Sequence, residues 1–205
     1  NNGNIVAIGG SGNGKSTALK SIAETLYMAG AKVIIADPER EYRDLCKNLS
    51  GSWLDVGGGT TKVNPLQIRA VPEDDEKEDT LYQANDNAMA LHIHTLDMFF
   101  KLYLPSLTDL QRALVKKALV TLYNKFGIKW DTDVSKLSPG DYPLISDFYK
   151  VLLDEAKENP HYEEIALLFH DMAEGADSFL WNGATNVDMD NNFVVLDTNR
   201  LQNSS

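Results

Sequence analysis

An α/β fold, a parallel sheet interrupted by an all-helical insert, is what three features of this 205-residue sequence predict. Two short apolar runs, Ile5-Val6-Ala7-Ile8 and Val33-Ile34-Ile35-Ala36, flank a glycine-rich turn and a helix-patterned segment. Residues from about 85 to 174 then carry almost no strand signal. A strand pattern returns near the end, at Phe193-Val194-Val195-Leu196.

Each element has a local reason. The run at 5–8 is continuously apolar and bounded by Gly9-Gly10, the pattern of a strand buried on both faces. Residues 16–28 place Leu19, Ile22, Ala23 and Leu26 at helical spacing, with Gly30 as a C-cap. The second strand ends at Asp37-Pro38. Strand, glycine turn, helix and strand in this order form a βαβ unit, whose handedness lays the helix across one face of the sheet. A short helix is expected over 39–49 and a further strand over 52–56, before the Gly57-Gly58-Gly59 turn. Asn64-Pro65-Leu66 marks a loop, and residues 71–80, with six acidic side chains and one lysine, read as a solvated stretch. Helical patterns follow over 89–104, 108–126, 144–158 and 162–173. The chain then returns to strand pattern at 186–189 and 193–196, with Asp190-Asn191-Asn192 as turn residues between them.

Composition narrows the function classes. At 43% hydrophobic and 24% charged residues the chain is an ordinary globular sequence. Its net charge of −11 argues against binding nucleic acid all over its surface, which depends on Lys and Arg neutralising phosphates. Cys46 is the single cysteine, so no internal disulfide forms and a reducing compartment is expected. The most apolar long segment, 91–104, is interrupted by His92, His94, Asp97 and Lys101 and falls short of the roughly 20 apolar residues of a membrane span. The absence of a secretory signal, the start at Asn1-Asn2-Gly3-Asn4 without Met, and the end directly after a strand-like run read as a piece of a longer polypeptide.

The strongest chemical signal is Gly9-Gly10-Ser11-Gly12-Asn13-Gly14-Lys15-Ser16-Thr17, which satisfies G-x-x-x-x-G-K-[ST] between a strand and a helix. Glycines let successive N–H groups turn inward on a phosphate, and the following helix adds its N-terminal dipole. Gly10, Ser11, Gly12, Asn13, Gly14, Lys15, Ser16 and Thr17 are therefore the candidate ATP-binding residues. Lys15 is assigned to the β- and γ-phosphates and the Ser16 hydroxyl to Mg²⁺.

Other elements sort the nucleotide-binding classes. The guanine-reading N-K-x-D is matched only by Asn124-Lys125-Phe126-Gly127, without the Asp. The phosphate loop resembles that of ABC ATPases, but their L-S-G-G-Q signature has only Leu137-Ser138-Pro139-Gly140-Asp141 against it, and Pro139 removes a backbone donor. The helical insert contains a single arginine, Arg112, where a small-molecule kinase carries an arginine-rich lid. A motor-type RecA-like ATPase remains. His92 and His94 lie two apart, about 200° around a helix, and cannot share a metal ion. His161 and His170 read as packing or surface residues, and the aromatic run 98–103 as helix-packing core.

The second strand and its continuation, Ile34-Ile35-Ala36-Asp37-Pro38-Glu39-Arg40-Glu41-Tyr42, resemble the D-P-E-x-E-Y element of the type IV secretion and conjugation ATPases. These are the fourth VirB component and its TraC-like relatives, in the HerA–FtsK group. Val63-Asn64-Pro65-Leu66, Pro143-Leu144-Ile145-Ser146-Asp147 and Phe179-Leu180-Trp181-Asn182-Gly183-Ala184-Thr185 resemble further elements of that family, in order. The resemblance implies a RecA-like P-loop NTPase core whose parallel sheet is incomplete in this chain. Residues 1–75 are its first part, 80–175 an inserted all-helical subdomain, and 176–205 the return to the core.

It also implies an ATP-hydrolysing motor that powers type IV secretion or conjugative transfer. Such a protein assembles as a homo-oligomer, a hexamer at full length, on the cytoplasmic face of a bacterial inner membrane. Its helical insert recognises other secretion components. Glu39, beside the nucleotide, joins Lys15 as a catalytic candidate, orienting water. Phe193-Val194-Val195-Leu196-Asp197 is followed by Thr198 where a Walker B strand has Glu. The family pattern matches it to the strand preceding Walker B, which then follows Ser205; Asp197 as the Walker B residue is the other reading. Arg40 and Arg200 are candidates for a subunit-bridging arginine. Two alternatives stay open: a DNA-translocating HerA–FtsK motor, with DNA a partner the charge does not indicate, and a nucleotide-binding assembly subunit without turnover.

Overall fold

The computed structural model describes residues 8, 14–57, 59–69, 88–188 and 190–204. The expected strand at 5–8, apart from Ile8, and the acidic stretch 71–80 lie outside them. The chain divides into two units, Asn1–Thr61 with Val187–Ser205, and Lys62–Asn186.

In the first unit, helix α1 (Lys15–Met28) leads to strand β1 (Val33–Asp37), helix α2 (Arg43–Asn48) and strand β2 (Ser52–Asp55), and strand β3 (Phe193–Asp197) completes the described sheet. The order is β1-β3-β2 and all pairs are parallel. Val33 is opposite Phe193, and Asp37 opposite Asp197. Asp197 in turn is opposite Asp55. Among the described strands, the last in sequence thus lies between the other two. Its residues suit that place, because Phe193, Val194 and Val195 are buried on both faces.

On one face Ala23 and Tyr27 of α1 and Leu45, Cys46 and Leu49 pack with Val33, Ile35, Trp53, Phe193 and Val195. Tyr27 meets Phe193 edge-on, with ring centroids 5.5 Å apart. Of the apolar face expected for α1, Ala23 is buried whereas Ile22 and Leu26 are exposed. The helix turns its Ala23–Tyr27 line to the sheet instead. Gly51 admits the close approach of β2 to β3: a Cβ there would stand 2.7 Å from the Phe193 carbonyl oxygen.

Two local expectations differ from the structure. The helix predicted over 39–49 forms only as α2, because residues 37–42 are drawn into a turn by the Asp37 carboxylate. Residues 186–188 form no strand, and Met189 lies outside the described residues. The polar groups there are used otherwise. Asn186 exchanges hydrogen bonds with the backbone of Lys62, and Asp188 accepts the N–H groups of Asp190 and Asn191.

The second unit holds α3 (Ala88–Tyr103), α4 (Asp109–Lys125), α5 (Ile145–Ala156), α6 (His161–Ala173) and the short α7 (Ser178–Trp181). All four predicted long helices are present. Their core centres on Phe100, Phe148 and Phe169; Phe169 meets the other two rings edge-on at 4.8 and 5.1 Å. The aromatic run is therefore core, as its spacing suggested, although Met98 and Leu102 face outward. Arg112 forks onto Asp97, at 2.9 and 2.5 Å, and joins α4 to α3; it is a structural arginine. The Leu137–Asp141 segment is a turn in which Asp141 accepts the Ser138 N–H at 2.7 Å. His92 is packed edge-on against Tyr123 at 6.1 Å while His94 is exposed. Among the described residues no group of His, Cys, Asp and Glu is placed to hold a metal ion.

Three of the family-like segments meet in this unit. Asn64 is buried, and its Nδ2 donates to the Pro143 carbonyl at 2.9 Å while its N–H donates to Thr185 Oγ1 at 3.0 Å. Ser146 N–H donates to Asn182 Oδ1 at 3.1 Å. Val63-Asn64-Pro65-Leu66, Pro143–Asp147 and Phe179–Thr185 are thus one hydrogen-bonded junction that ties the segments 63–66 and 179–185 to each other and to the start of α5.

Candidate nucleotide site

Of the phosphate-loop candidates, Gly10, Ser11, Gly12 and Asn13 lie outside the described residues; Gly14, Lys15, Ser16 and Thr17 are described. Gly14 caps α1 with φ 73° and ψ 11°, the left-handed conformation that a side chain disfavours. Nothing stands within 4 Å of a Cβ built on it, so the backbone angle and not space demands glycine. The first helical bond is Ala18 N–H to the Gly14 carbonyl at 2.9 Å. Lys15, Ser16 and Thr17 therefore form the first turn, whose N–H groups precede the helical ladder. A glycine cap brings no side chain to cover them, and no acidic residue occupies that turn. Lys15 and Thr17 are exposed and Ser16 is half-buried. This is a donor set suited to a polyphosphate, with one hydroxyl suited to Mg²⁺.

A second cluster lies at the C-terminal ends of β1 and β3, where open α/β sheets place their ligands. Asp37 is 2% exposed, and its carboxylate accepts the N–H groups of Glu39 (3.3 Å), Glu41 (3.2 Å) and Tyr42 (2.8 Å). It shapes the turn. Arg40 has φ 60°, unusual for a residue with a side chain, and its Nε donates to Asp197 Oδ2 at 2.8 Å. Asn199 donates its N–H to Asp197 Oδ1 at 3.1 Å and its Nδ2 to the Pro38 carbonyl at 2.8 Å. Thr198 N–H reaches the Asp37 carbonyl at 3.2 Å. Glu39 is exposed on this pinned turn. Tyr42 underlies Lys20 of α1, whose Nζ is 5.5 Å from the ring centroid. Burial, with Asp37 and Glu41 nearby, pushes the Tyr42 phenol above its usual range.

Arg40, a candidate to bridge subunits, is thus engaged with Asp197 of its own chain. Arg200 sits in the 3₁₀ turn Asn199–Ser204 after β3. Sequence reasoning missed the Arg40–Asp197 pair and Asn199, because 157 residues separate the two charges and no local pattern joins them.

The family model described as the TraG P-loop domain matches residues 1–205. A solved structure, VirB4 of Thermoanaerobacter pseudethanolicus, is similar at 42% sequence identity and a TM-score of 0.78. The match covers 96% of this chain and 50% of that one, so the chain spans about half the length of that VirB4. No curated protein matches. A glycine-capped helix start, a parallel α/β sheet and these two likenesses agree: the chain belongs to the TraG P-loop domain family.

Proposed function

We propose that this chain binds ATP with Mg²⁺ and forms the nucleotide-binding part of an ATP-hydrolysing motor that drives type IV secretion or conjugative transfer. The observation that carries the reading is the glycine-capped start of α1, with Lys15, Ser16 and Thr17 in its first turn. Lys15 holds the β- and γ-phosphates, Ser16 holds Mg²⁺, and Gly10, Ser11, Gly12, Asn13, Gly14 and Thr17 complete the cradle. When bound, Mg²⁺ supplies charge neutralisation at the phosphates. Glu39 orients the attacking water. Both Asp197 oxygens accept protein hydrogen bonds, from Arg40 and Asn199, which supports assigning the Walker B role to a different strand.

In the full-length protein the reading extends to a hexamer at the cytoplasmic face of the inner membrane, with the helical unit meeting other secretion components. No helix among the described residues is long and apolar enough to cross a membrane. The test is Lys15→Ala in the full-length protein. It should abolish high-affinity ATP binding, read with a fluorescent nucleotide analogue, together with phosphate release. Unchanged affinity would overturn the assignment.

A further inference from the structure

We propose that Asp197 and Arg40 act together as positioning residues for Glu39, an inference that rests on the reading of Glu39 given above. The turn 38–41 is held at several points. Asp37 takes the N–H groups on either side of Arg40, from Glu39 and Glu41, and Asn199 takes the Pro38 carbonyl. Arg40 itself sits in the left-handed region at φ 60°, a conformation that persists only when surrounding contacts over-determine it.

Its Nε bond to Asp197 is such a contact. The Asp197 side chain is 3% exposed and that of Arg40 37% exposed, so the anion is fixed in the sheet while the guanidinium lies nearer the surface. The partner strand is rigid too: β3 is hydrogen-bonded to β1 and β2 and buried along most of its length. A charge at the end of the central described strand therefore sets the backbone at Arg40, and Arg40 sets the direction from which its neighbour Glu39 leaves the turn. Without the ion pair the strained residue relaxes, and Glu39 moves with it. A displacement of about 1 Å at a reacting group lowers turnover by up to about 100-fold.

The experiment uses the full-length protein and compares Glu39→Gln, Arg40→Ala, Asp197→Ala and the double variant Glu39→Gln/Arg40→Ala. It measures ATP affinity, KM and single-turnover hydrolysis. Arg40→Ala and Asp197→Ala should each lower kcat about 10- to 100-fold with KM for ATP and nucleotide affinity unchanged. The double variant should be no slower than Glu39→Gln alone, because a residue acting through Glu39 has nothing left to position.

Losses that multiply in the double variant would overturn the proposal, since Arg40 would then act directly. A wild-type kcat for Arg40→Ala beside a slow Glu39→Gln would overturn the positioning role and leave the Glu39 reading standing. A wild-type kcat for Glu39→Gln would overturn both. If Asp197→Ala loses ATP binding through misfolding, Arg40→Ala, altered at a more exposed side chain, decides the matter alone.

Discussion

Replacing Asn64 by alanine should destabilise the helical unit by about 2–6 kcal/mol. Asn64 is 4% exposed. Its Nδ2 donates to the Pro143 carbonyl at 2.9 Å and its Oδ1 accepts the Leu66 N–H at 3.0 Å. Pro143 and Leu66 are themselves buried, so alanine leaves a carbonyl and an N–H without partner or ready access to water. Each such group costs about 1–3 kcal/mol. Asn64→Asp keeps the acceptor for Leu66 but turns an oxygen toward the Pro143 carbonyl, and should lose a comparable amount. Thr185→Val, which removes the acceptor of the Asn64 N–H, should lose about 1 kcal/mol. Combined with Asn64→Ala it should fall short of additivity, because the two residues share one junction. The assay is urea unfolding of the chain followed by far-ultraviolet circular dichroism, which reports chiefly on its helices, with linear extrapolation to water. A loss below about 0.5 kcal/mol for both Asn64 variants, the size of an ordinary surface substitution, would refute the claim that this junction holds the three segments together.

Phe100→Ala, which empties a ring packed against Phe148 and Phe169, should cost about 3–5 kcal/mol in the same assay. His92 supplies a pH test. Among the described residues its Nε2 is buried without a hydrogen-bond partner, and burial lowers its pKa from 6.5 to about 4. The unfolded chain then takes up this proton first as pH falls, so stability is full above pH 6.5 and is lost on the way down to pH 4, by about 2 kcal/mol between pH 7 and pH 5. His92→Phe should flatten that slope; an identical slope in both proteins would show that another group titrates.

The helices were legible because each repeats its apolar residues at its own period, as Phe148, Val151 and Leu152 do along α5. The start of α1 was legible because its signal is contiguous: Gly14, Lys15 and Ser16 stand side by side in the chain. The strand pattern at 193–196 correctly marked β3, but residues 186–188, read in the same way, form no strand. Whether such a run pairs depends on what lies beside it, and Asn186 and Asp188 found turn partners instead. Likewise the three family-like segments around Asn64 read as separate signals, although their hydrogen bonds make them one junction.

By itself, then, the amino-acid order determined the α/β class, the helical insert and the glycine-capped start of α1, since all three follow from steric and hydrogen-bonding preferences within a few residues. Only the tertiary structure decided that β3 lies between β1 and β2, that Ala23 is buried while Ile22 and Leu26 are exposed, and that Arg40 answers to Asp197. Those outcomes depend on burial and charge pairing between residues far apart in the chain, whose energies exist only once the elements have packed.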